Sequence, residues 1–256
     1  MPIKIAINGF GRIGRAAFKV ALENKKIKVV AINDLVDPEN LAYLLKYDTV
    51  YGRYGRQVLF GKGYLQVDNT KVQAFAEKDP EKLPWKKLGV DAVLECTGFF
   101  TDSEGAHKHI KAGAKRVIIS APTKSEDLNT YVAGANEDQI SKKDVVLSNA
   151  SCTTNCVSPV MAILESKFGI EKALMTTIHA YTATQKLVDG PEPKDFRRGR
   201  AAAQNMVPTS TGAAIATIKT LPSLVGKFDG VSVRVPVACG SLSDFTLVLK
   251  KKTTAE

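Results

Sequence analysis

Cysteine and histidine are scarce in this sequence, and a long apolar run is missing altogether. The four cysteines, at positions 96, 152, 156 and 239, are too few for the disulfide framework of a small secreted scaffold. Zinc sites usually show two close cysteine pairs, or one pair beside a histidine cluster. Cys152 and Cys156 form the single close pair and have neither companion, so free thiols and no metal are expected. No stretch of about 18 apolar residues is found. Met1-Pro2-Ile3-Lys4-Ile5 runs into a strand pattern with no basic-then-apolar leader, so a cytoplasmic protein without membrane partners is expected. Internal repeats and low-complexity tracts are also absent. What is present, 44% apolar and 24% charged residues over 256 positions, excludes wholesale disorder and is enough chain for two ordinary domains.

The formal charge of +10 admits nucleic acid, an acidic membrane surface, or small anions such as phosphates and dinucleotides. The lysines are scattered, and the densest run, Lys250-Lys251-Lys252, has no interleaved aromatics to stack on bases. It reads as a solvated tail, and nucleic acid is not predicted.

Residues 3–8 have the texture of a buried strand, and after Gly9 to Gly14 the segment 15–24 has helical spacing, with Phe18, Ala21 and Leu22 on one side. A second strand over 28–33 completes a strand-helix-strand unit of about 30 residues, the length a parallel crossover needs. Further strands are expected at 92–95, 116–120 and 145–148, with a helix over 104–112, so the first 150 residues read as an open parallel sheet with helices on its faces. A helix starting near Thr153 then leads to strands over 172–180, 230–236 and 243–250, the mark of a mixed sheet. The polar, arginine-rich stretch 185–211 reads as a long loop.

Gly9-Phe-Gly11-Arg-Ile-Gly14 matches GxGxxG, a weak pattern alone. Here it follows a strand, opens a helix, and is trailed by Asp34 at the tip of the next strand. Gly9 permits a tight turn, Gly11 lets backbone approach a pyrophosphate, and Gly14 allows the helix to pack on the sheet. The helix N-terminus supplies N–H groups and partial positive charge. Asp34 would accept from the adenosine ribose hydroxyls and repel a 2′-phosphate, which selects NAD over NADP.

Ser151-Cys152-Thr153-Thr154-Asn155-Cys156 sits at a strand-to-helix junction, where a helix N-terminus stabilises a thiolate. Cys152 is therefore a candidate nucleophile, although by itself it is equally compatible with a buried small residue. Cys156, one turn later, is expected deeper on the same face as inert packing. Of three histidines, His107 and His109 fall beside lysines in the first half and read as solvated surface. His179 ends a strand and is a candidate base for Cys152.

Ser-Asn-Ala-Ser-Cys152-Thr-Thr-Asn-Cys and His179-Ala-Tyr-Thr-Ala-Thr-Gln resemble phosphorylating glyceraldehyde-3-phosphate dehydrogenase. The likeness extends along all 256 residues through Ala-Ile-Asn-Gly-Phe-Gly-Arg-Ile-Gly-Arg, Glu-Cys-Thr-Gly-Phe-Phe, Asp-Phe-Arg-Arg-Gly-Arg-Ala-Ala and Pro-Thr-Ser-Thr-Gly-Ala-Ala. The resemblance implies a Rossmann doubly wound parallel sheet domain (1–150) that binds NAD, followed by an α+β catalytic domain with a mixed sheet (151–256). It implies that Cys152 attacks the aldehyde of glyceraldehyde 3-phosphate, that His179 takes the proton, and that inorganic phosphate cleaves the resulting thioester.

The same resemblance puts the substrate phosphate near Thr182 and Arg234, and inorganic phosphate near Ser151, Thr153, Thr211 and Gly212. Arg198 serves either, and which of Arg197, Arg198 and Arg200 points inward stays open. Arg12 and Ile13 are implied beside the pyrophosphate, Asn33 and Asp34 near the adenosine, and Thr97 and Ser120 towards the nicotinamide. Gly190-Pro191 is similar to the NAD-preferring form. A homotetramer is implied as well, with the loop from about Gln185 at a subunit contact. The chain is shorter than members of this family by roughly a quarter, so the second domain is expected to be incomplete at its C-terminus, leaving an apolar groove and unpaired strand edges exposed. The rival readings are an erythrose-4-phosphate dehydrogenase, in which water attacks the thioester, and a basic nucleotide- or RNA-binding module.

Overall fold

Ile3–Asn8 (β1) carries the consecutive apolar run Ile5-Ala6-Ile7 because both of its faces are covered there: Ile5 and Ile7 join one core, while Ala6 between them joins another. This strand lies at the centre of the first of two compact units in a computed structural model that describes residues 1–193 and 195–254. Unit 1 comprises 1–130 and 140–150, and unit 2 comprises 131–139 and 151 onwards. Ala255 and Glu256, the end of the expected second domain, lie outside the described residues.

In unit 1, β1 is followed by Arg12–Glu23 (α1), Ile27–Asn33 (β2), Pro38–Lys46 (α2), and the short pair Tyr47–Asp48 (β3) and Gly52–Arg53 (β4). Val58–Gly61 (β5), Tyr64–Val67 (β6), Thr70–Phe75 (β7), Trp85–Leu88 (α3), Ala92–Glu95 (β8), Ser103–Lys111 (α4), Arg116–Ile119 (β9) and Val146–Ser148 (β10) complete it. The sheet order is β10-β9-β8-β1-β2-β7-β6-β5. The stretch from β10 to β7 is parallel, as a doubly wound sheet requires, and α1 and α2 cover one face with Phe18, Leu41 and Leu45. Trp85 and Ala106 sit in the core on the other face.

The structure adds an antiparallel edge to the expected open parallel sheet. β5, β6 and β7 form antiparallel hairpins at one edge, joined by two-residue turns in which Gly63 (φ 75°) and Asp68 (φ 49°) take the left-handed backbone that tight hairpins need. α1 also starts at Arg12 and not at Arg15. The helix begins as soon as the chain leaves the glycine turn, whereas the apolar spacing marks only where its buried face begins.

Unit 2 holds Cys152–Phe168 (α5), Ile170–Ala180 (β11), Val207–Ser210 (β12), Ala213–Thr220 (α6), Phe228–Val235 (β13) and Ser241–Leu249 (β14). Its mixed sheet runs β12-β13-β11-β14, with β11 and β13 parallel and the other pairs antiparallel. Val157 and Met161 of α5, with Ala213 and Ala214 of α6, pack on Ala173, Met175 and Phe228 of one sheet face. The opposite face leaves Leu174, Val231, Leu242 and Val248 each more than half exposed. The supposed loop 185–211 is only partly a loop. Its end is β12, an edge strand, where Pro208 is tolerated because one side of the strand needs no ladder hydrogen bond.

Candidate active site

At the C-terminal ends of the parallel strands of unit 1 lies a cleft of about 850 Å³, where an open α/β sheet usually binds its ligand. Gly9, Gly11, Asn33, Asp34 and Thr97 of the expected site residues line it. Gly9 has φ 89°, and a Cβ there would come within 2.6 Å of the Thr97 nitrogen. A Cβ on Gly14 would come within 2.0 Å of the Gly9 carbonyl oxygen, so Gly14 serves the turn from beneath. A Cβ on Gly11 would meet nothing within 4 Å, which leaves open space in front of the start of α1. That helix has no side-chain cap and no acid in its first turn, so its N–H groups and partial positive charge suit an anion.

Asp34 accepts from the N–H of Phe10 at 2.7 Å and from that of Val36 at 3.1 Å, which pins its carboxylate against the glycine turn. The remaining four expected residues lie outside the cleft lining. Arg12 pairs with Asp48 at 2.8 Å, Ile13 is exposed, Gly14 is packed on Gly9, and Ser120 is hydrogen-bonded to Cys96.

In unit 2, Cys152 is the first residue of α5 and is exposed. Ser151 caps the helix, its Oγ accepting the Thr154 N–H at 3.1 Å. The chain enters this junction through Ala150, whose φ of 58° is uncommon for a residue with a Cβ. The Cys152 Sγ lies 3.4 Å from Nε2 of His179. His179 stands between Arg234 of β13 and Ser241 of β14 in the sheet register. Its Nδ1 is 2.7 Å from the Ala180 carbonyl, and Arg234 Nη1 donates to that carbonyl at 2.9 Å. Arg234 Nη1 also lies 2.8 Å from Nδ1: with the proton on Nδ1 and donated to Ala180, the Nε2 lone pair faces the sulfur and can receive its proton, whereas with Arg234 donating to Nδ1 the proton sits on Nε2 and is donated to a thiolate. Burial lowers the proton affinity of Arg234, the nearby Cys152 sulfur opposes this, and Arg198 adds to it.

The three arginines of the polar segment separate clearly. Arg197 is paired with Asp195 at 2.9 Å and Arg200 with Asp189 at 2.9 Å, both guanidinium groups outward. Arg198 donates to Thr209 Oγ1 from Nε at 2.8 Å and from Nη2 at 2.6 Å, shares Asp195 with Arg197 at a longer 3.7 Å, and is the one near enough to influence Arg234. Thr153 is buried, and Thr182 Oγ1 pairs with Thr184 Oγ1 at 2.9 Å. Thr211 Oγ1 accepts the Ala213 N–H at 3.1 Å, which leaves its own O–H to donate, while Gly212 opens α6 with open space where a side chain would stand.

Two expectations are corrected. Cys156 shares a face with Cys152, but that face is exposed, because α5 buries Thr153, Thr154, Val157, Ser158 and Met161 instead. His109 is fully buried: its Nδ1 accepts the Trp85 indole N–H at 2.9 Å and its Nε2 lies 3.0 Å from Glu95 Oε2. Its small neighbours Gly105 and Ala106, on the same side of α4, were the signal that this side is packed and the lysines are not. Asn8 and Glu95, which join His109 beneath the cleft, carried no such signal, since a polar residue at a strand end ordinarily reads as solvated.

Residues 3–103 match the family model described as glyceraldehyde 3-phosphate dehydrogenase, NAD binding domain, and residues 151–256 match its C-terminal domain. The chain is 53% identical over 254 residues to glyceraldehyde-3-phosphate dehydrogenase of Clostridium pasteurianum and to that of Clostridium acetobutylicum, covering 99% of this chain and 76% of each relative. It is 51% identical over 254 residues to glyceraldehyde-3-phosphate dehydrogenase 1 of Trichormus variabilis, covering 98% of this chain and 74% of that one. The chain belongs to the glyceraldehyde-3-phosphate dehydrogenase family. It is accordingly an NAD-dependent oxidoreductase, and the uncapped α1 terminus, the open side of Gly11 and the carboxylate of Asp34 fit a dinucleotide. Among the described residues no group of three His, Cys, Asp or Glu side chains could hold a metal ion, and no helix is long and apolar enough to cross a membrane.

Proposed function

We propose that this chain oxidises D-glyceraldehyde 3-phosphate to 1,3-bisphosphoglycerate in the glycolytic direction, with inorganic phosphate as co-substrate and NAD as hydride acceptor. The observation that carries the reading is the exposed Cys152 sulfur at a helix N-terminus, 3.4 Å from an imidazole nitrogen. The helix N-terminus favours the thiolate, formed as the Cys152 proton passes to His179 Nε2; the thiolate adds to the aldehyde carbon, and the new alkoxide takes that proton back as a hydroxyl. His179 Nε2 takes the proton from the resulting thiohemiacetal hydroxyl as the carbon–hydrogen bond breaks. NAD, when bound, supplies the acceptor for that hydride, and its oxidised nicotinamide makes the step redox-neutral overall. A phosphate oxygen then attacks the thioester carbon and the Cys152 thiolate leaves.

In this reading residues 1–150 are the NAD-binding domain, with Gly9, Gly11, Arg12, Ile13, Gly14, Asn33, Asp34, Thr97 and Ser120 along the cofactor. Residues 151–256 are the catalytic domain. Arg234 and Thr182 take the substrate phosphate, and Ser151, Thr153, Thr211 and Gly212 take inorganic phosphate. Arg198 is the phosphate-facing member of its cluster, since it is the least exposed of the three and lies near Arg234, while the Arg197 and Arg200 guanidinium groups stand outward. The exposed apolar sheet face of Leu174, Val231, Leu242 and Val248 supports assembly into a homotetramer, and four free thiols support a cytoplasmic location.

Steady-state kinetics test the reaction. NADH formation from glyceraldehyde 3-phosphate should require phosphate or arsenate, and undiminished turnover without either would point to thioester hydrolysis and refute phosphorolysis. Light scattering on the purified chain should give four copies per particle.

A further inference from the structure

Beneath the cleft of unit 1 a row of side chains ties the C-terminal ends of four adjacent strands together. Glu77, just past β7, donates its N–H to Asn33 Oδ1 at 2.9 Å and accepts from Asn33 Nδ2 at 2.8 Å. Asn33, at the end of β2, also donates from Nδ2 to Asn8 Oδ1 at 2.7 Å. Asn8, at the end of β1, donates from Nδ2 to Glu95 Oε2 at 2.6 Å. Glu95, at the end of β8, accepts on Oε1 from the Thr97 N–H at 2.7 Å and from the Thr97 hydroxyl at 2.5 Å. His109 Nε2 reaches Glu95 Oε2 at 3.0 Å, and Trp85 closes the row from behind. Asn8, Asn33, Glu77 and Thr97 line the cleft, and Glu95 and His109 have no exposed side-chain surface.

The direction of every bond in the row is fixed at its ends by groups that cannot reverse. The backbone N–H and C=O of Glu77 set which way Asn33 faces, and Asn33 in turn sets Asn8. The Trp85 indole N–H only donates, so His109 Nδ1 must accept. The imidazole is therefore neutral with its proton on Nε2, and it donates to Glu95. The Thr97 N–H only donates as well. Four donors converge on one carboxylate, which has four lone-pair positions and no proton to place. An amide of identical shape would turn two N–H bonds towards donors.

We propose that Glu95 is a positioning residue for the dinucleotide: as the one side chain of this row that only accepts, it fixes Thr97 where it meets the cofactor and holds the Asn8–Asn33 pair at the floor of the cleft. The inference rests on the cleft being the NAD site. It goes beyond the contacts that the GxGxxG turn and Asp34 make, because Glu95 acts only through its neighbours.

The test is NAD titration by calorimetry, with melting curves, on the wild-type protein, Glu95→Gln, and the double variant Asn8→Asp/Glu95→Gln. The single amide should weaken NAD binding about tenfold or more, because a buried donor is left facing donors. The double variant restores a consistent pattern. Its carboxylate at position 8 would accept from Asn33, from the new amide at position 95 and from His109, whose Nε2 already lies 3.4 Å from the Asn8 side-chain nitrogen. The double variant should bind NAD measurably more tightly than Glu95→Gln alone, although it adds a carboxylate to the cleft lining, which a space-filling role does not predict. Glu95→Gln with wild-type affinity, or a double variant no better than the single, overturns the proposal. Nitrogen-15 spectra of the wild-type histidines test it without any variant: His109 should be the neutral Nε2–H tautomer, and an imidazolium there overturns it. A wild-type protein that fails to bind NAD would instead refute the assignment of the cleft.

Discussion

Replacing Asp48 by asparagine should lower the stability of unit 1 at neutral pH and have little effect in strong acid. The Asp48 carboxylate, in the short β3 strand, accepts the N–H of Tyr51 at 2.9 Å, that of Val50 at 2.8 Å, and Arg12 Nη1 at 2.8 Å. Led by the Tyr51 bond, these hold its pKa down from 3.8 to about 2. The folded value lies below the unfolded one, so the stabilisation is complete above about pH 4, fades as pH falls from there towards 2, and is gone below 2. At ~1.4 kcal/mol per tenfold change in proton affinity, the ceiling is ~2.5 kcal/mol. Arg12 is half exposed, so its share is screened by water and salt, and ~1–2 kcal/mol is the expected loss at pH 7. Urea denaturation of wild type and Asp48→Asn at pH 7 and at progressively lower pH measures the difference. A gap that stays constant down to pH 2 would refute the assignment of the effect to the ionised carboxylate. A gap abolished by molar salt at pH 7 would show that Arg12, and not the two backbone donors, supplies it.

Iodoacetate should label Cys152 first among the four thiols. Cys156 and Cys239 are also exposed, and burial pushes the Cys96 thiol up to about 11, so equal rates at the three exposed sulfurs would reject a poised thiolate at 152. Asp34→Ala should relax discrimination against NADP while losing two backbone hydrogen bonds and ~1–3 kcal/mol of stability. Asp34→Asn, which keeps an acceptor for Phe10, separates the two effects, and unchanged selectivity in both variants would remove the role given to that charge. Phe18→Ala, which empties a site packed edge-on to Phe10 beneath the glycine turn, should cost ~3–5 kcal/mol in chemical denaturation, and a loss under ~1 kcal/mol would contradict the observed packing.

Much of the architecture was legible without coordinates because its signals are local. β1 and β8 have the extents expected from their apolar runs, and α4 and β10 differ by a residue at their ends. The stretch between Asp34 and Ala92 was not legible. Its sheet strands lie towards one side of the sheet and are only partly buried, so β5, β6 and β7 lack the continuous apolar runs that mark the central strands.

The sequence alone determined family, cofactor class and the central strands and helices of the first unit, since fingerprint, reactive cysteine and histidine each sit in a motif of a few adjacent residues. Tertiary structure decided which polar groups are buried and which exposed. Asn8 meets Glu95 across 87 residues of chain and His109 across 101, distances over which no periodic pattern carries information. The same holds for Cys156, whose exposure follows from which side of α5 faces the sheet, and for Arg198, set apart from its two neighbours by its two bonds to Thr209 and its closeness to Arg234. A side chain's type sets the bonds it can make, but the partner that arrives beside it comes from packing of the whole unit.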